Sequence, residues 1–534
     1  MNDFAYAASE SNGLEFETDV LVVGGGLAGA WAALGAARAG ADVVLVDKGY
    51  CGTSGVTATA GPGHWWVAPE ARDETVRKRF AAGAGLGDPQ WMHRILDTTW
   101  RHLRSLAPYY TFPVDARGQT LFRALRGPEY MRALRSMVES AGVRILDHCP
   151  VLELLRHTDG SIAGAQGLQR QRQQPWRARA GAIVLATGGC AFRSKLLGAD
   201  NNTGDGYLMA AEAGAELSGM EFSNYYTVAP KFSSMTRSMS YVFARYFDAS
   251  GRELPIAPGP NQTVTLAAAL LDGPVFCTLD LTPEDLRTAL PTISPNVMLP
   301  FTRRGIDPFK DRFEVTLRGE GTVRGIGGLR ITGAACETSV ANLFAAGDTA
   351  TRELVAGAIS GGGNINSAWA LSSGLWAGRG AAERARSQGR RSTEAAHSIG
   401  QAGLRPLRHA ATIDTAAVIA TVQRPMLDYD QNIFRNGQAL AQSITQLDST
   451  WRTFSDHAQG GAGSWVRTRE TAAMLATARW CASSALARTE SRGMHQRTDM
   501  PRTDPAWAQR ITVGGLSKVW QRREASKQPE MAAA

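Results

Sequence analysis

A glycine-rich turn near the start of the chain is the first segment whose residue types and spacing could do chemistry. Residues 19–38 read DVLVVGGGLAGAWAALGAAR, which predicts a buried strand, a tight turn and a helix. Glycines in such a turn let backbone N–H groups approach phosphates at the positive end of the helix. We therefore expect Gly24 to make the turn, Gly26 to approach a pyrophosphate, and Gly29 to let the strand and helix pack closely.

An acidic residue stands where a second predicted strand ends. Residues 42–46 (DVVLV) lead directly into Asp47 and Lys48. The acid comes roughly 20 residues after the first glycine, the spacing at which a carboxylate accepts hydrogen bonds from ribose hydroxyls. Strand, glycine turn, helix, strand and acid occur in this order, which favours a bound dinucleotide over a βαβ unit that binds nothing.

Five further motifs follow along the chain. They are residues 180–189 (AGAIVLATGG), 202–206 (NTGDG), 343–348 (LFAAGD), 361–364 (GGGN) and 484–499 (SALARTESRGMHQRTD). With these motifs the chain resembles the succinate dehydrogenase and fumarate reductase flavoproteins, a family that also includes L-aspartate oxidase and the adenylylsulfate reductase flavoprotein. The resemblance extends from about residue 18 to 508, and the motifs keep the family's order.

The resemblance implies an α/β fold with three parts. A Rossmann-like FAD-binding domain is expected at residues 18–225 and 325–390, an inserted α+β capping domain at 226–324, and a C-terminal helical domain at 400–520. Apolar residues recur at helical spacing over 412–454 and 464–486, in agreement with the last of these parts.

The resemblance also implies that the protein is an FAD-dependent oxidoreductase, and it implies which residues bind FAD. In this sequence Asp348 is expected on the ribityl chain, and Asn364 opens a helix behind the flavin. The complete expected set is Gly24, Gly26, Leu27, Ala28, Gly29, Asp47, Lys48, Thr53, Ser54, Thr59, Ala60, Gly61, Val151, Ala186, Thr187, Gly188, Thr203, Asp205, Gly347, Asp348, Asn364, Ile365 and Asn366.

One departure from the family concerns the covalent bond to FAD. Family members often attach FAD to a histidine after the second strand, but residues 53–61 read TSGVTATAG and Gly55 stands at that position. Glycine has no nucleophile, so we expect FAD to be bound non-covalently. Cys51 is an alternative anchor, but a buried, unreactive thiol is the favoured interpretation.

A second departure concerns the residues that bind dicarboxylates in the family, two histidines and two arginines. Tyr226 stands at the first histidine position, and residues 323–328 (VRGIGG) have no histidine where the second is expected. Ser360 stands at the position where the family has its substrate-binding arginine. The proton-transferring arginine aligns near Ser240.

A shifted alignment would place Arg237 or Arg245 at that last position. Two carboxylates in a dry pocket need opposite charge, because losing one member of a buried ion pair costs about 3–5 kcal/mol. We therefore do not expect succinate or fumarate to be the substrate.

The same departures suggest which residues contact the substrate. Tyr225, Tyr226 and Arg324 are the candidates for substrate contact or for acid/base catalysis, because they occupy or adjoin the family's substrate positions. The run His64-Trp65-Trp66 could stack a larger, more apolar molecule near the flavin, or it could be packing; the sequence favours neither.

Composition limits the remaining functions. The chain has 534 residues and a net charge of +8, but no aromatic and basic module accompanies the charge, so a basic surface is favoured over nucleic-acid binding. The six cysteines form no CxxC pair, which argues against a metal or iron-sulfur site and favours a reducing cytoplasm. Residues 20–37 are uncharged, but their glycines fit the dinucleotide turn better than a membrane span.

Three hypotheses about activity follow. The first is a self-contained enzyme that moves a hydride between a small organic substrate and FAD. The second is the flavoprotein subunit of an electron-transfer complex, in which another chain supplies an iron-sulfur or other redox centre. The third, and least favoured, is a flavin-binding protein without redox turnover.

Overall fold

The computed structural model describes residues 13–524 except 116, 124, 235–238, 260, 294, 389–393 and 462. The N-terminal part contains β1 (Leu14–Val23), α1 (Leu27–Arg38), β2 (Val43–Val46), α2 (Arg72–Ala82), α3 (Pro89–His102), α4 (Gly127–Ser140), β3 (Arg144–Leu146), β4 (Val151–Arg156), β5 (Ile162–Gln169), β6 (Gln174–Leu185), α5 (Asp205–Glu212) and β7 (Leu217–Ser218).

The middle part contains β8 (Tyr225–Pro230), β9 (Arg245–Phe247), β10 (Glu253–Leu254), α6 (Gln262–Asp272), β11 (Val275–Thr278), α7 (Glu284–Ile293), α8 (Pro295–Thr302), β12 (Phe313–Glu320) and α9 (Gly321–Arg324). The last part contains β13 (Gly328–Leu329), β14 (Leu343–Ala345), α10 (Glu353–Ala356), α11 (Gly362–Gln388), β15 (His397–Ser398), α12 (Thr415–Leu427), α13 (Tyr429–Asn432), α14 (Gly437–His457), α15 (Trp465–Ala487), β16 (Ile511–Gly514) and β17 (Trp520–Arg523).

The first sheet carries the predicted strand, turn and helix unit. Its strand order is β15-β4-β5-β6-β1-β2-β3, and β14 also pairs with β6. β1 is parallel to β2 and to β6, with Val20 opposite Val43 and Ala182. Val20, Leu21 and Val22 are completely buried, as expected for a β-branched run covered on both faces. The predicted α/β class with a Rossmann-like sheet is confirmed.

The second sheet belongs to the middle part of the chain. Its strands are antiparallel in the order β10-β9-β11-β12-β8, and α6 packs on β8 and β12. A separate apolar core lies here, with Tyr246, Leu266 and Cys277 almost inaccessible to solvent. This sheet spans Tyr225–Glu320, so its first residue precedes the boundary of 226 expected for the capping domain.

The C-terminal region is more than the helical domain expected for residues 400–520. α12, α14 and α15 pack on one another, and α15 also contacts α5. After α15, however, β16 and β17 form an antiparallel hairpin that joins β7 and β13 in a third sheet. The end of the chain therefore returns to the nucleotide-binding part, which the helical pattern alone did not indicate.

Close packing between α1 and α11 holds the N-terminal and returning parts of the nucleotide-binding region together. A Cβ at Gly378 would lie 1.9 Å from the carbonyl oxygen of Ala32, and one at Gly374 would lie 2.4 Å from that of Ala28. On the other helix, a Cβ at Gly35 would lie 2.7 Å from the carbonyl oxygen of Leu375. Real Cβ atoms do not approach backbone so closely, so only glycine lets the two helices come this near.

Candidate active site

A cavity of about 840 Å³ lies between the first and second sheets. This volume is within the range of roughly 300–1,000 Å³ found for ligand pockets. One side of the cavity is lined by the turn before α1, the loop after β2, the ends of β6 and β14 and the start of α11. The middle part of the chain lines the other side. The cavity therefore joins the expected dinucleotide site to the expected substrate site.

The turn before α1 has the backbone that the glycine pattern predicts. Gly24 has φ +109°, and a Cβ there would lie 2.3 Å from the carbonyl oxygen of Ala186. A Cβ at Gly29 would lie 1.7 Å from the carbonyl oxygen of Gly24, so this glycine serves packing and lies outside the cavity lining. Gly26 is different: the nearest heavy atom to a Cβ there would be Gly55 Cα at 3.9 Å. The open space beside Gly26 is the cavity itself, which leaves its backbone accessible to a ligand.

The Asp47 carboxylate, which is buried, organises the loops around this turn. Its Oδ2 accepts a hydrogen bond from the Gly25 amide at 2.5 Å. Its Oδ1 accepts from the Gly49 amide at 2.7 Å and from Ser54 Oγ at 2.6 Å. Asp47 also lines the cavity. The carboxylate therefore ties two loops together before any ribose hydroxyl reaches it.

Lys48 lies in an ion network at one end of the cavity. Its Nζ is 2.8 Å from Asp205 Oδ2 and 3.0 Å from Glu470 Oε1, and it donates to Thr203 Oγ1 at 3.2 Å. Glu470 also binds Arg193 at 2.6 Å. Burial alone would lower the pKa of Lys48, but Asp205 and Glu470 raise it above its usual value. Because Glu470 belongs to α15, the C-terminal region contributes a residue to the cavity, and no sequence motif indicated this contribution.

Asp348 lines the cavity with a buried arginine behind it. Arg352 Nη1 forms an ion pair with Asp348 Oδ1, and its Nη2 donates to the carbonyl oxygens of Thr322, Val323 and Gly325. The hydroxyl of Tyr207 donates to the Asp348 carbonyl oxygen at 2.6 Å. Arg352 belongs to none of the sequence motifs, and residues 350–352 between the 3₁₀ turn Gly347–Thr349 and α10 are not helical, so no helical spacing from Asp348 could have indicated it.

The start of α11 forms another part of the cavity wall. The helix begins at Gly362, and the amides of its first turn have no intrahelical acceptor. Gly363, Asn364 and Asn366 line the cavity, and a Cβ at Gly363 would have no neighbour within 4 Å. Exposed amides at a helix N-terminus favour a negatively charged or electron-rich group. Together with the open backbone at Gly26, this arrangement fits FAD.

The loop after β2 contains the position of the family's covalent histidine. Gly55 lines the cavity with φ +79°, and a Cβ there would lie 3.3 Å from Gly26 Cα. Cys51, the alternative anchor, is buried outside the cavity lining. Burial, with a contribution from Asp47, raises the pKa of the Cys51 thiol to about 12, so it is a protonated thiol and a poor nucleophile.

Tyr225 and Arg324 face the cavity from the middle part of the chain. The Arg324 guanidinium lies over the Tyr225 ring, 4.8 Å from its centroid, and its Nη1 is 3.5 Å from Glu320 Oε1. Glu320 is completely buried and accepts a hydrogen bond from Thr227 Oγ1 at 2.5 Å. Burial alone would lower the pKa of Arg324, but Glu320 raises it. Arg324 is therefore a permanent cation at this wall.

Tyr226 also lines the cavity, but its hydroxyl is bonded on the far side. It accepts from Asn432 Nδ2 at 3.1 Å and donates to the Met426 carbonyl oxygen at 3.4 Å. The ring packs edge to face on Tyr429, and burial raises the pKa of the Tyr226 phenol well above its usual value. Its hydroxyl thus has structural partners, whereas the Tyr225 side chain is half-buried and faces the cavity.

The histidine and tryptophan run does not reach the cavity. His64 is buried beside the hydroxyl of Tyr130, and burial lowers its pKa to about 3. Trp66 stacks on Trp100, with ring centroids 4.3 Å apart. None of His64, Trp65 and Trp66 lines the cavity, so the packing interpretation is correct for this run.

The structure describes one of the two alternative arginines, Arg245. Arg245 pairs with Asp280 and lies outside the cavity lining. Arg237 lies outside the described residues, as does the side chain of Ser240. Ser360 is also absent from the lining, and its hydroxyl accepts from the Gly362 amide at 3.2 Å.

Most of the expected FAD-binding residues line the cavity. The exceptions, which lie outside the lining, are Gly29, Thr59, Thr203 and Ile365. Those in the lining are Gly24, Gly26, Leu27, Ala28, Asp47, Lys48, Thr53, Ser54, Ala60, Gly61, Val151, Ala186, Thr187, Gly188, Asp205, Gly347, Asp348, Asn364 and Asn366. The turn before α1 and four of the five further motifs therefore contribute to one site, whereas no residue of the motif at 484–499 lines it; the individual contacts with FAD stay predictions.

Comparison with known proteins establishes the family. A model of the FAD binding domain matches residues 19–365, and a model of the fumarate reductase flavoprotein C-terminus matches residues 421–528. The chain belongs to the succinate dehydrogenase/fumarate reductase flavoprotein family. It is an FAD-dependent oxidoreductase, as the resemblance implied.

The relatives in this family have different activities. One subunit of the fumarate reductase (CoM/CoB) from Methanothermobacter marburgensis is 26% identical over 93% of this chain and 97% of its own length. The L-aspartate oxidase of Streptomyces coelicolor is 28% identical over 94% of this chain and 92% of its own. At these identities the family is shared but the substrate does not follow.

Solved structures of the family have the same fold. The E. coli quinol fumarate reductase FrdA superposes with a TM-score of 0.80 at 22% identity, covering 98% of both chains. An adenosine-5-phosphosulfate reductase superposes with a TM-score of 0.77 at 17% identity, covering 98% of this chain and 97% of its own.

Within the described ranges, no helix combines the length and the apolar character needed to cross a membrane. No three His, Cys, Asp or Glu side chains cluster as metal ligands in the part of the chain that the structure describes.

Proposed function

We propose that the protein binds FAD non-covalently and uses it to oxidise or reduce a small organic substrate other than succinate or fumarate. The observation that carries this proposal is the wall opposite the flavin site. Among its described residues, Arg324 is the one cation lining the cavity from the middle part of the chain, and the buried Glu320 lies 3.5 Å from it. A dicarboxylate that has lost its hydration needs several positive charges. Among the described residues of this wall it would meet only that of Arg324, which Glu320 partly compensates.

The chain's own residues have distinct tasks in this proposal. Gly24, Gly26 and the first amides of α1 approach the pyrophosphate, Asp47 orients the ribose, and Asp348 with α11 orients the flavin end. FAD, when bound, supplies the hydride acceptor or donor. The middle part of the chain covers the cavity and excludes water from it.

At the substrate end, Tyr225 and Arg324 are the proposed contacts. Arg324 can donate hydrogen bonds to a substrate oxygen and hold it in place, and the ring of Tyr225 supports the guanidinium from beneath. Tyr226 stays a candidate for substrate contact through its ring, because its hydroxyl is occupied by Asn432 and Met426.

Anaerobic reduction of the bound flavin tests the proposed reaction. Mixing the purified holoenzyme with a panel of small organic reductants, succinate included, should bleach the visible flavin band with at least one of them and not with succinate. The reverse reaction is followed with chemically reduced holoenzyme and candidate acceptors, including fumarate. Rapid turnover of succinate or fumarate would show that the proposal is wrong.

The non-covalent attachment has its own test. Acid precipitation should release all of the flavin as intact FAD, because Gly55 has no side chain and Cys51 is a buried thiol with a raised pKa. Flavin fluorescence that stays with the protein band after denaturing electrophoresis would contradict this expectation.

A second candidate function is that of a flavoprotein subunit in an electron-transfer complex. The name of the Methanothermobacter marburgensis relative, a fumarate reductase subunit, favours it. In that case an iron-sulfur or other redox protein should copurify with the tagged chain under native conditions, and the isolated chain should turn over slowly without it.

We also propose that the protein is cytoplasmic, for either candidate function. Cell fractionation tests this location.

A further inference from the structure

Six apolar residues line the cavity from the middle part of the chain. They are Val228, Tyr241, Val242, Leu286, Leu290 and Val297, which come from β8, from the segment before β9 and from α7 and α8. We call these six residues the apolar lobe.

The polar residues beside the apolar lobe are uncharged. Thr227, Gln262 and Thr263 line the cavity there, and Gln262 Nε2 donates to the Tyr241 carbonyl oxygen at 3.2 Å. No charged residue among those that the structure describes lines the lobe itself. A ligand group that enters the lobe loses its hydration and meets few polar partners, so an apolar group is favoured there.

Arg324 stands at the junction between the apolar lobe and the flavin end. Its guanidinium carries five N–H donors in a planar fork that matches a carboxylate. The contact of 3.5 Å with Glu320 is at the outer limit of a hydrogen bond, and within the described part of the chain its side chain reaches no closer acceptor. Its side chain is 20% exposed, and that exposure faces the cavity it lines. A single acceptor group can therefore be bound at this point.

We propose, building on the function proposed above, that the substrate is a monocarboxylate with an apolar body. Arg324 binds the carboxylate, and the body lies in the apolar lobe. A dicarboxylate is disfavoured because its second charge would lie against Val228, Leu290 or Val297, where none of the cavity-lining residues that the structure describes is a cation. A neutral analogue is disfavoured because it loses the charge-assisted, bidentate hydrogen bonds that the guanidinium offers.

Binding to the holoenzyme tests this substrate class without requiring turnover. Phenylbutyrate, its amide and succinate are titrated into the oxidised holoenzyme, and the shift of the visible flavin bands gives the dissociation constants. Phenylbutyrate should bind at least tenfold more tightly than either of the other two. The proposal would be overturned if succinate bound more tightly than phenylbutyrate, if the amide bound as tightly as phenylbutyrate, or if phenylbutyrate did not bind.

Two variants locate the ligand. Arg324→Met should reduce the affinity for phenylbutyrate to that for its amide. Val242→Asp should weaken phenylbutyrate binding at least tenfold by placing a carboxylate in the apolar lobe; Val242 is half exposed, so the substitution is compatible with folding. The matched control is Val264→Asp, because Val264 is also an exposed valine nearby but lies outside the cavity lining. Equal binding by the Val242 and Val264 variants would place the ligand elsewhere.

These outcomes also separate the inference from the proposed function. A chain that purifies without FAD, or whose flavin no organic substrate reduces, contradicts the proposed function. A chain that keeps FAD and reacts with a substrate, but prefers succinate or the amide in the titration, contradicts only the substrate class.

Discussion

Replacing Asp47 by alanine should weaken both the apoprotein and its affinity for FAD. The carboxylate accepts three hydrogen bonds of 2.5–2.7 Å, from Gly25, Gly49 and Ser54. Hydrogen bonds to a charged group contribute about 1.5–3 kcal/mol each, and a buried amide left without an acceptor costs about 1–3 kcal/mol. Because the Gly25 and Gly49 amides would both be left without an acceptor, the loops around the cavity should lose on the order of 2–6 kcal/mol of stability.

The FAD affinity should fall by a further amount if Asp47 also binds the ribose. Loss of the ribose hydrogen bonds corresponds to about 1.5–3 kcal/mol, or roughly a 10- to 150-fold increase in Kd. Thermal unfolding of the apoprotein measures the first effect, and titration of the apoprotein with FAD, followed by flavin fluorescence, measures the second. Asp47→Asn should give intermediate losses. Its side-chain amide keeps one acceptor oxygen, but its NH₂ group replaces the other oxygen and faces a hydrogen-bond donor of the protein.

Asp115 provides a matched control for this experiment. Its carboxylate also accepts two backbone amides, from Arg117 at 2.8 Å and Gln119 at 2.9 Å, but it does so at the surface and away from the cavity. Asp115→Ala should change stability by less than about 1 kcal/mol and leave FAD binding unaltered. An Asp47→Ala apoprotein as stable as the wild type, or one with undiminished FAD affinity, would refute the reasoning for the corresponding role.

Three further expectations concern single side chains. Gly26→Val should lower FAD affinity at least tenfold while leaving apoprotein unfolding unchanged, because the added side chain enters open cavity space and the residue has φ −74°; unchanged FAD titration would contradict it. Burial and the neighbouring Glu221 raise the pKa of Glu353 above its usual value, so the protein should lose stability as the pH rises from the ordinary glutamate range to this raised pKa. Unfolding of Glu353→Gln should lack this pH dependence, and an unchanged pH profile in the variant would count against the reasoning. Tyr225→Phe should slow flavin reduction by the substrate more than Tyr226→Phe does in stopped-flow measurements, because the Tyr226 hydroxyl is held by Asn432; the opposite order would favour Tyr226 as the acid/base group.

The elements around the dinucleotide turn could be predicted because their signals are local. The apolar run before Gly24 becomes β1, the Ala-rich run becomes α1, and the GGGN motif opens α11. In each case neighbouring residues decide the conformation: β-branched side chains favour a buried strand, and glycines allow the turn. The position of Asp47 follows from the same local order.

The ion pairs behind the cavity could not be predicted in this way. Glu470 lies on α15, whose residues are buried nearly all round, so no polar stripe distinguishes it in the sequence. Its partners Lys48 and Arg193 are distant in the chain, and nothing in the local pattern joins them. The hairpin of β16 and β17 was missed for a related reason, since these short strands are defined by pairing with each other and, for β16, with the distant β7 rather than by their own pattern.

The close contact between α1 and α11 has a consequence for biosynthesis. The two helices are separated by most of the chain, and the ribosome delivers the N-terminal one first, at about 5–20 residues per second. Until α11 emerges, the small apolar residues of α1, among them Ala32, have no partner to cover them. Such non-local pairing folds slowly and leaves apolar surface open to aggregation. The nascent protein should consequently depend on chaperones until Gly378 is synthesised, and truncated chains that end before this glycine should be recovered as insoluble material.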